Sequence, residues 1–290
     1  MADIRQATVL NRPKRLITYG TRLSAYLVII VAGVVSFFPF FWMVSTSLKG
    51  MGDIFILPTK WLPSPVDWRN YLEIWTATPA PFIRYVLNNV VVSVTIVVGQ
   101  LLFSSLAAFA FARLEFPGRD LLFVGYLAML MIPIHVTIIP LFLIFLKLKL
   151  IDTTLGIILP GLFSVFGTFL LRQFFLVIPK SLDDAATIDG CGPFGVYWRI
   201  ILPLAKPGLA TLTVFSFIAA WNNFLWPLII INTEVKKTLP VALANFAGFA
   251  ITDWPMLMTG SVIAVVPILI LFVCTHRFFI KGVVMSGLKG

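Results

Sequence analysis

The sequence predicts an all-α membrane protein with six transmembrane helices and with both termini in the cytoplasm. Of its 290 residues, 59% are hydrophobic and only 12% are charged, whereas a soluble domain carries roughly 25% charged residues. Six apolar runs are each long enough to cross a bilayer as a helix, which satisfies its backbone hydrogen-bonding groups within one segment. A third observation, the uneven distribution of lysine and arginine, gives the predicted orientation.

The predicted transmembrane domain covers residues 23–281, between a cytoplasmic segment at 1–22 and a cytoplasmic tail at 282–290. The predicted spans are 23–46, 86–112, 121–146, 155–177, 209–231 and 259–280. The basic N-terminal segment is followed by an apolar run that is longer than the core of a signal peptide and lacks a clear cleavage site. We therefore expect the first span to be retained as an anchor, with the N-terminus inside.

Proline, glycine and other small residues mark the middle spans. The third span contains MIPIHVTIIP and the fourth contains LGIILPGLFSVFGTFL, and proline or glycine inside a membrane helix marks a bend or a break. In the second span, Ser104, Ala108 and Ala112 recur every four residues. This spacing of small residues lets two membrane helices pack closely.

Basic residues are concentrated on one side of the predicted topology. With both termini inside, 14 of the 22 lysines and arginines fall in inner segments, although the outer loops are together longer. Cytoplasmic segments carry such an excess, which supports this orientation. The net charge of +10 is therefore explained by membrane topology, and we predict no nucleic-acid partner.

Several function classes are disfavoured by residues that the chain lacks. All 12 Asp and Glu residues lie outside the predicted spans, whereas ion-coupled carriers commonly keep an intramembrane carboxylate for the coupling ion. The sequence has no Gly-Lys dipeptide and therefore no phosphate-binding P-loop. Cys191 and Cys274 form no CxxC motif, which disfavours a zinc site. With no catalytic constellation present, we predict a non-enzymatic protein that binds no metal or cofactor.

The fifth predicted span contains WNNFLWP, at 221–227, the most specific polar cluster within the membrane. Sugars present C–H faces that stack on aromatic rings and hydroxyls that bond to amides. Trp221, Asn222, Asn223 and Phe224 are therefore candidates for a substrate path. The alternative is structural, with the asparagines bonded across helices and the tryptophans near the outer interface. The residues alone leave both possibilities open.

The cytoplasmic segment 181–207 interrupts the apolar spans with two predicted short helices. Ser181 as N-cap and Asp184 three residues later form a capping-box variant. Gly190 is suited to the left-handed conformation that ends a helix. Gly192-Pro193 then starts a second helix, because proline is tolerated at the first helical position. Pro203 and Pro207 are expected to limit it.

The two predicted helices offer two different surfaces. Phe194, Tyr197, Trp198 and Ile201 recur at helical spacing and form a single apolar face that we expect to be buried. The first helix instead carries Ala185 and Ala186, a small-residue side that another protein's backbone can approach. A helix that rests on a membrane usually has a basic polar face, whereas this segment begins with carboxylates. The pattern therefore favours docking of a separate protein.

The run Asp184-Ala-Ala-x-x-Asp189-Gly190, with Tyr197, Ile200, Pro203 and Pro207 at matching spacing, resembles the EAA loop of ABC importer permeases. The segments AFARLEFPGRDLLF, MIPIHVTIIPLFLI, FGTFLLRQFFLVIPKSLDDAATIDG, WNNFLWPLII and KGVVMSGLKG are similar to the MalG-type permease of carbohydrate-uptake ABC transporters. Departures from the family pattern are modest. Asp184 replaces the usual Glu, Cys191 the usual Ala and Tyr197 the usual Phe.

The resemblance implies a type I ABC importer permease fold with cytoplasmic coupling helices, in a bacterial cytoplasmic membrane. It also implies a set of residues that couple to the ATPase: Asp184, Ala185, Ala186, Asp189, Gly190, Phe194, Tyr197, Trp198, Ile200 and Pro203. The outer loop that follows the fifth span resembles a segment that contacts the binding protein, and the implied contacts are Asn245, Phe246 and Phe249. The basic tail resembles a segment that reaches toward the ATPases.

The resemblance further implies partners and a substrate class. The partners are a MalF-like second permease, two ATPase subunits that use ATP and magnesium, and an extracytoplasmic solute-binding protein. The implied function is uptake of sugars or oligosaccharides through one half of a pore. The alternatives are an ABC permease for glycerol phosphate or another polyol-like solute, and an ion-coupled sugar carrier.

Overall fold

A computed structural model describes residues 13–248 and 252–286, with side chains at 22–248 and 252–276. These residues are helical and include no strand. The α-helices are α1 Pro13–Ser47, α2 Arg69–Glu73, α3 Phe82–Arg113, α4 Arg119–Ala128, α5 Ile134–Lys147, α6 Thr154–Gly161, α7 Val165–Val177, α8 Ser181–Ile188, α9 Pro193–Val196, α10 Leu202–Leu204, α11 Lys206–Trp221, α12 Leu225–Ile230, α13 Leu239–Leu243 and α14 Trp254–Ser286. Short 3-10 turns and one π-helical turn connect them. The predicted helical class is confirmed for the described residues.

Four helical stretches of the described chain are long and apolar enough to cross a membrane: Arg22–Ser47, Phe82–Arg113, Lys206–Ile230 and Trp254–His276. Two bent pairs of helices pass the same test together, which gives up to six crossings if each pair is one span. α4 and α5 meet at 96°, and α6 and α7 meet at 41°. The predicted bends in the third and fourth runs are confirmed. The third run is not one continuous helix, because Pro133 has no N–H with which to continue the backbone ladder.

α3 supplies polar side chains to the breaks in its neighbours. The Nδ2 of Asn89 donates to the carbonyl of Trp221, where α11 ends (3.1 Å). The Nε2 of Gln100 donates to the carbonyl of Gly161, where α6 ends (2.7 Å), and its Oε1 accepts from the Ser216 hydroxyl (2.5 Å). A carbonyl freed inside a membrane needs such a partner because no water is present. The broken helices are therefore held together by α3.

The small residues of α3 form its packing surface against α7. Ser104, Ala108 and Ala112 are all buried. A Cβ added to Gly167 of α7 would meet the Ser104 Oγ at 2.8 Å, a separation too short for ordinary van der Waals contact. A larger residue would force the Ser104 or Leu212 side chain to move, and the prediction of close helix packing is confirmed.

The loops lie in two groups at opposite ends of α3. Near its first residue, Tyr85 donates to Glu234 in the loop after α12 (2.7 Å). At its last residue, Arg113 lies 3.2 Å from Asp183 in the segment after α7. The 32 residues of α3 extend for about 48 Å at a rise of 1.5 Å per residue. The predicted outer and inner loops are therefore well separated.

Candidate functional site

The segment 181–204, which we call the knob, lies between α7 and α11. Its first helix, α8, ends at Ile188, and Gly190 adopts a left-handed conformation with φ +84°. The Gly190 N–H donates to the Thr187 carbonyl (3.0 Å), and the Cys191 N–H donates to the Ala186 carbonyl (2.9 Å). These two bonds form a Schellman motif, which closes the last turn of a helix. The predicted helix end at Gly190 is confirmed.

The start of α8 differs from the prediction. Lys180 is the N-cap and Ser181 is already helical, because the N–H groups of Asp183 and Asp184 bond to the Lys180 carbonyl (2.9 and 3.1 Å). None of the described side chains caps this end, so the predicted capping box from Ser181 to Asp184 is wrong. Asp183 and Asp184 still occupy the first turn, where the helix dipole favours a carboxylate.

The second part of the knob begins as predicted. α9 has Gly192 as its N-cap and Pro193 at its first position. The chain then forms a π-helical turn over Tyr197–Ile201, in which the Leu202 N–H bonds to the carbonyl five residues earlier. Such a turn places one extra residue in the backbone ladder. The angular spacing of the side chains therefore differs from that of a regular α-helix.

The knob does not end at Pro203 as predicted. α10 passes through Pro203 to Leu204, and the chain breaks at Ala205 before α11 begins. Because the π turn has already shifted the ladder, the missing N–H of Pro203 does not stop the helix there. Pro207 lies in the first turn of α11, where proline is tolerated, so the expected limit before Pro207 is confirmed.

The predicted apolar face of the second helix is divided in two. Tyr197 and Ile201 are buried, at 2% and 0% exposure, whereas Phe194 and Trp198 are 68% and 60% exposed. The Tyr197 hydroxyl lies 2.8 Å from the Ser105 Oγ of α3, and either atom is able to donate. The prediction of a single buried aromatic face is wrong, because α3 covers only one side of it.

Apolar and acidic side chains together form the exposed face of the knob, which we call the knob surface. Its exposed residues include Asp184, Ala185, Ile188, Asp189, Gly190, Phe194, Trp198 and Pro203, and the basic Arg199 is exposed beside them. Of the predicted coupling residues, Ala186 and Tyr197 are buried and Ile200 is half-buried. An exposed apolar patch with polar residues around it is typical of a protein interaction site. The buried members hold this patch in a fixed orientation.

Trp221 of the predicted substrate path lies in the core. It is 1% exposed, its Nε1 donates to the Ala264 carbonyl of α14 (3.0 Å), and its ring stacks on Phe217 with the centroids 5.3 Å apart. Its carbonyl is the acceptor for Asn89 at the end of α11. The ring therefore packs helices together and is not accessible to a passing solute in this conformation.

The other three residues of the predicted path lie at the break between α11 and α12. Asn222 and Phe224 are exposed, and Asn223 is half-buried. The Nδ2 of Asn222 donates to the Ile218 carbonyl of its own helix (3.0 Å), so the alternative in which it bonds across helices is wrong. These three residues therefore remain available to a solute or to a neighbouring chain.

A polar cluster that we call the outer clamp, formed by Asp152, Thr233 and Lys236, joins the loop after α5 to the loop after α12. The Asp152 carboxylate accepts from the Thr233 hydroxyl (2.6 Å), the Lys236 ammonium (2.9 Å) and the Asn232 N–H (3.1 Å). Burial acts to raise the pKa of Asp152, but these bonds outweigh it and hold that pKa well below its usual value. The clamp is therefore charged and closed at neutral pH.

A second carboxylate fixes the other side of the same loop. Glu234 accepts from the Tyr85 hydroxyl (2.7 Å), the Asn245 Nδ2 (3.0 Å) and the Lys237 ammonium (2.5 Å). Burial acts to raise the pKa of Glu234, but the bonds from Lys237 and Tyr85 outweigh it and lower that pKa. The loop after α12 is thus tied both to α3 and to the residues that lead into α14.

The three predicted binding-protein contacts occupy different positions. Asn245 is exposed and bonded to Glu234. Phe246 is buried and belongs to the same apolar cluster as Trp221, so its side chain is not displayed. Phe249 lies outside the described residues.

The sequence profile of one protein family, described as binding-protein-dependent transport system inner membrane component, matches residues 100–284. This match covers more than half of the 290 residues. The chain belongs to this family. The resemblance to ABC importer permeases, identified from the loop that contains Asp184 and Gly190, is thereby confirmed.

Two relatives and one solved structure illustrate the family membership. This transport component is 39% identical over 228 residues to the arabinooligosaccharides transport system permease protein AraQ of Halalkalibacterium halodurans, covering 79% of this chain and 81% of that protein. It is 32% identical over 273 residues to the sn-glycerol-3-phosphate transport system permease protein UgpE of Yersinia pestis bv. Antiqua. This match covers 92% of this chain and 97% of that protein. Its fold is similar to a chain in the crystal structure of a bacterial ABC transporter involved in the import of the acidic polysaccharide alginate. The TM-score is 0.80 at 24% sequence identity, and the superposition covers 94% of this chain and 100% of that chain.

Sequence reasoning about this transport component missed Arg113. Its guanidinium donates to two carbonyls that are 62 and 65 residues later in the chain. The sequence signal was an arginine at the inner end of an apolar span, which the positive-inside rule alone explains. Contacts over such separations do not follow from local spacing.

Replacing Asp152 by asparagine is expected to loosen the outer clamp. Asparagine tolerates the left-handed backbone of this position (φ 58°), so the change removes charge and leaves the turn intact. The free energy of unfolding should fall by about 1–2 kcal/mol, the amount associated with weakened hydrogen bonds to a partly exposed charged group. Thermal unfolding of the purified protein measures this loss. Asp53→Asn, at an exposed ion pair with Lys60, is the matched control. Its free energy of unfolding should be close to that of the wild type.

The pH dependence of the outer clamp has a defined sign. Folding lowers the pKa of Asp152, so its contribution is complete above the unfolded pKa of about 3.9 and is lost as the pH falls further toward the folded value. The stability difference between the wild type and Asp152→Asn should therefore be constant from pH 8 to about pH 5 and shrink below about pH 4. A difference that grows on acidification would contradict the assignment.

Proposed function

We propose that this transport component is one half of the translocation pore of an ATP-driven importer for sugars or oligosaccharides. The observation that carries the proposal is the knob surface, a rigid apolar and acidic patch at the predicted cytoplasmic end of the molecule. The chain has no P-loop, so separate ATPase subunits would bind the ATP and magnesium. An ATPase that docks on the knob would drive the pore from the cytoplasm.

The proposed topology has six spans, with each bent pair counted as one, in the cytoplasmic membrane of a bacterium. The segments 1–22 and 282–290 would then lie in the cytoplasm, and α8 and α9 would be the coupling helices of a type I ABC importer permease. Support comes from the excess of lysine and arginine in the inner segments. Further support comes from the separation of the Asp183 and Glu234 contacts at the two ends of α3.

The proposed assembly contains a MalF-like second permease, two ATPase subunits and an extracytoplasmic solute-binding protein. The apolar window of Arg22–Ser47 has none of its residues buried within the chain, which leaves it for lipid or for the second permease. The family description, a binding-protein-dependent system, supports the binding protein. Asn245 and Phe249 would contact it, and the bond from Asn245 to Glu234 would hold Asn245 in place.

The proposed substrate is a neutral saccharide. AraQ is named for arabinooligosaccharides, whereas UgpE is named for glycerol 3-phosphate, which makes that phosphate the second candidate. A phosphate requires an available cation. The Arg172 guanidinium lies 4.2 Å from the centroid of the Phe123 ring, and its Nε donates to the Phe111 carbonyl (3.2 Å). These two contacts hold the guanidinium against Phe111 and Phe123 of its own chain, which favours the saccharide.

The proposed mechanism is a two-state equilibrium of the spans that the ATPases control. ATP binding closes the ATPase pair, and this closure biases the pore between inward-facing and outward-facing states through the knob. Driving such an equilibrium from 1:99 to 99:1 requires about 5.5 kcal/mol of differential interaction. A rigid knob transmits this free energy, whereas a flexible tether does not.

Purification of the complex from its native membrane tests the proposal. We expect a second permease, an ATPase and a bound saccharide to co-purify, and we expect uptake by the reconstituted complex to require both ATP and the binding protein. Competition by glycerol 3-phosphate, with none by sugars, would identify the second candidate. Transport by this chain alone in vesicles without nucleotide would instead identify an ion-coupled carrier.

Replacing Asn223 by alanine is expected to raise the apparent KM for the saccharide. The loss of one amide partner costs about 1 kcal/mol, which corresponds to an increase of about fivefold. Uptake kinetics of the reconstituted complex measure the change. Thr95→Val is the matched control, because the exposed Thr95 hydroxyl bonds to the Val91 carbonyl of its own helix (2.7 Å). Unchanged kinetics and substrate preference in Asn223→Ala would remove this residue from the proposed path.

A further inference from the structure

One buried guanidinium closes the end of α7. Arg113, the last residue of α3, has a side chain that is 4% exposed. Its Nη2 donates to the carbonyls of Phe175 (2.8 Å) and Ile178 (2.6 Å), at the C-terminal end of α7. The last carbonyls of a helix have no partner within the helix and carry partial negative charge. Arg113 thus joins α3 to α7 through two carbonyls at the end of α7, of which that of Phe175 also accepts from the Ile178 N–H (3.2 Å).

The same guanidinium holds the first helix of the knob. Its Nε lies 3.2 Å from the Oδ2 of Asp183, whose side chain is 19% exposed. The contact lacks the alignment of a hydrogen bond, and Asp183 Oδ1 has no hydrogen-bond partner among the described atoms. The attraction is therefore mainly one of charge, in a site where water is largely excluded and screening is weak. Arg113 is the group through which α3, α7 and α8 meet.

A second contact attaches the other part of the knob to the same helix. The Tyr197 hydroxyl pairs with the Ser105 Oγ, and its ring centroid lies 5.3 Å from that of Phe109. Ser105 and Arg113 are separated by about 12 Å along α3 at a rise of 1.5 Å per residue. Two attachments at this separation prevent the knob from rotating about either of them alone.

We propose that Arg113 is the positioning residue that makes the knob, α3 and α7 move as one body, a role that rests on the proposed docking of an ATPase. A partner that binds the knob surface shifts the spans only by the free energy that the connection transmits. A buried ion pair is weak evidence for stability, and in some proteins such a pair instead fixes one specific arrangement. Arg113 therefore sets the orientation of the knob relative to the spans and has no direct contact with nucleotide or solute.

The test uses the complete importer reconstituted with its ATPase and binding protein. Arg113→Lys keeps the charge but loses the planar set of donors that reaches two carbonyls and a carboxylate. We expect the ATPase to co-purify as in the wild type, while the stimulation of ATP hydrolysis by the loaded binding protein falls about fivefold or more. Asp183→Asn should also reduce the stimulation of ATP hydrolysis. Asp183→Glu should recover part of it. Asp120→Asn, at an exposed pair with Arg119, is the matched control and should match the wild type.

The outcomes separate this inference from the proposed function. Wild-type stimulation in both Arg113→Lys and Asp183→Asn would overturn the role of Arg113 and leave the docking proposal intact. A reduced amount of assembled complex, with normal stimulation for each complex that does assemble, would also overturn it, because the residue would then be merely structural. If the ATPase does not co-purify with the wild type, the proposed function itself fails. Since Asp183 is partly exposed, its variants keep the test decisive even if Arg113→Lys does not fold.

Discussion

Replacing Gly190 by proline is expected to abolish substrate uptake while the protein remains in the membrane. Gly190 has φ +84°, whereas proline is restricted to about −65°. The change also removes the N–H that bonds to the Thr187 carbonyl, and it disfavours the turn conformation of the preceding residue, Asp189 (φ −74°, ψ 6°), because a residue before proline is restricted to extended conformations. The second part of the knob would then leave its position against α3, and the free energy of ATP would no longer reach the spans.

Uptake by intact cells and the amount of protein in the membrane fraction measure this effect. Gly192→Ala is the matched control, since Gly192 has φ −74° and a Cβ at this position meets no atom within 4 Å. It should transport as the wild type does. Wild-type uptake by Gly190→Pro would show that the geometry of the knob is not required.

Truncating Phe194 and Trp198 to alanine is expected to release the ATPase without destabilising the permease. Both side chains are mostly exposed, so truncating them should change the folding stability of the isolated permease little. Aromatic residues at the centre of an interface commonly contribute 2 kcal/mol or more, and each loss would weaken the association about 30-fold. The double variant should therefore lose ATP-driven uptake almost completely.

Co-purification of the ATPase and the melting temperature of the permease test this prediction together. Leu121→Ala, at a residue of α4 that is also largely exposed, is the matched control and should retain the ATPase. A double variant that retains the ATPase at wild-type levels would place docking elsewhere. A large fall in melting temperature would instead indicate that the two rings are part of the core.

The sequence predicts the features of the fold that depend on local properties. Apolar runs of sufficient length become helices, proline breaks the third run at Pro133, and Gly190 takes the left-handed conformation because only glycine adopts it at little cost. The glycine and the acidic first turn of the knob can be identified within about ten residues of sequence. The same local reasoning placed Pro193 correctly at the start of α9.

The features that could not be predicted depend on distant partners. Tyr197 and Phe194 are both aromatic and lie on one predicted face, yet only Tyr197 meets α3, where its hydroxyl pairs with Ser105, which is 92 residues away. Adjacency in sequence predicts a shared role for Trp221 and Asn222, but the break at the end of α11 directs the Trp221 ring into the core. Packing between helices decides which side of a helix is covered. The spacing of residues within one helix does not predict that side.

Photo-crosslinking from position 198 in the native membrane tests the central claim most directly. A photo-activatable phenylalanine analogue in place of Trp198 would be irradiated in living cells, with the same analogue in place of Phe37, an exposed residue of α1, as the comparison. The account predicts that position 198 forms an adduct with a nucleotide-hydrolysing subunit and that position 37 does not. Adducts of position 198 with lipid alone, or none with an ATPase, would contradict it.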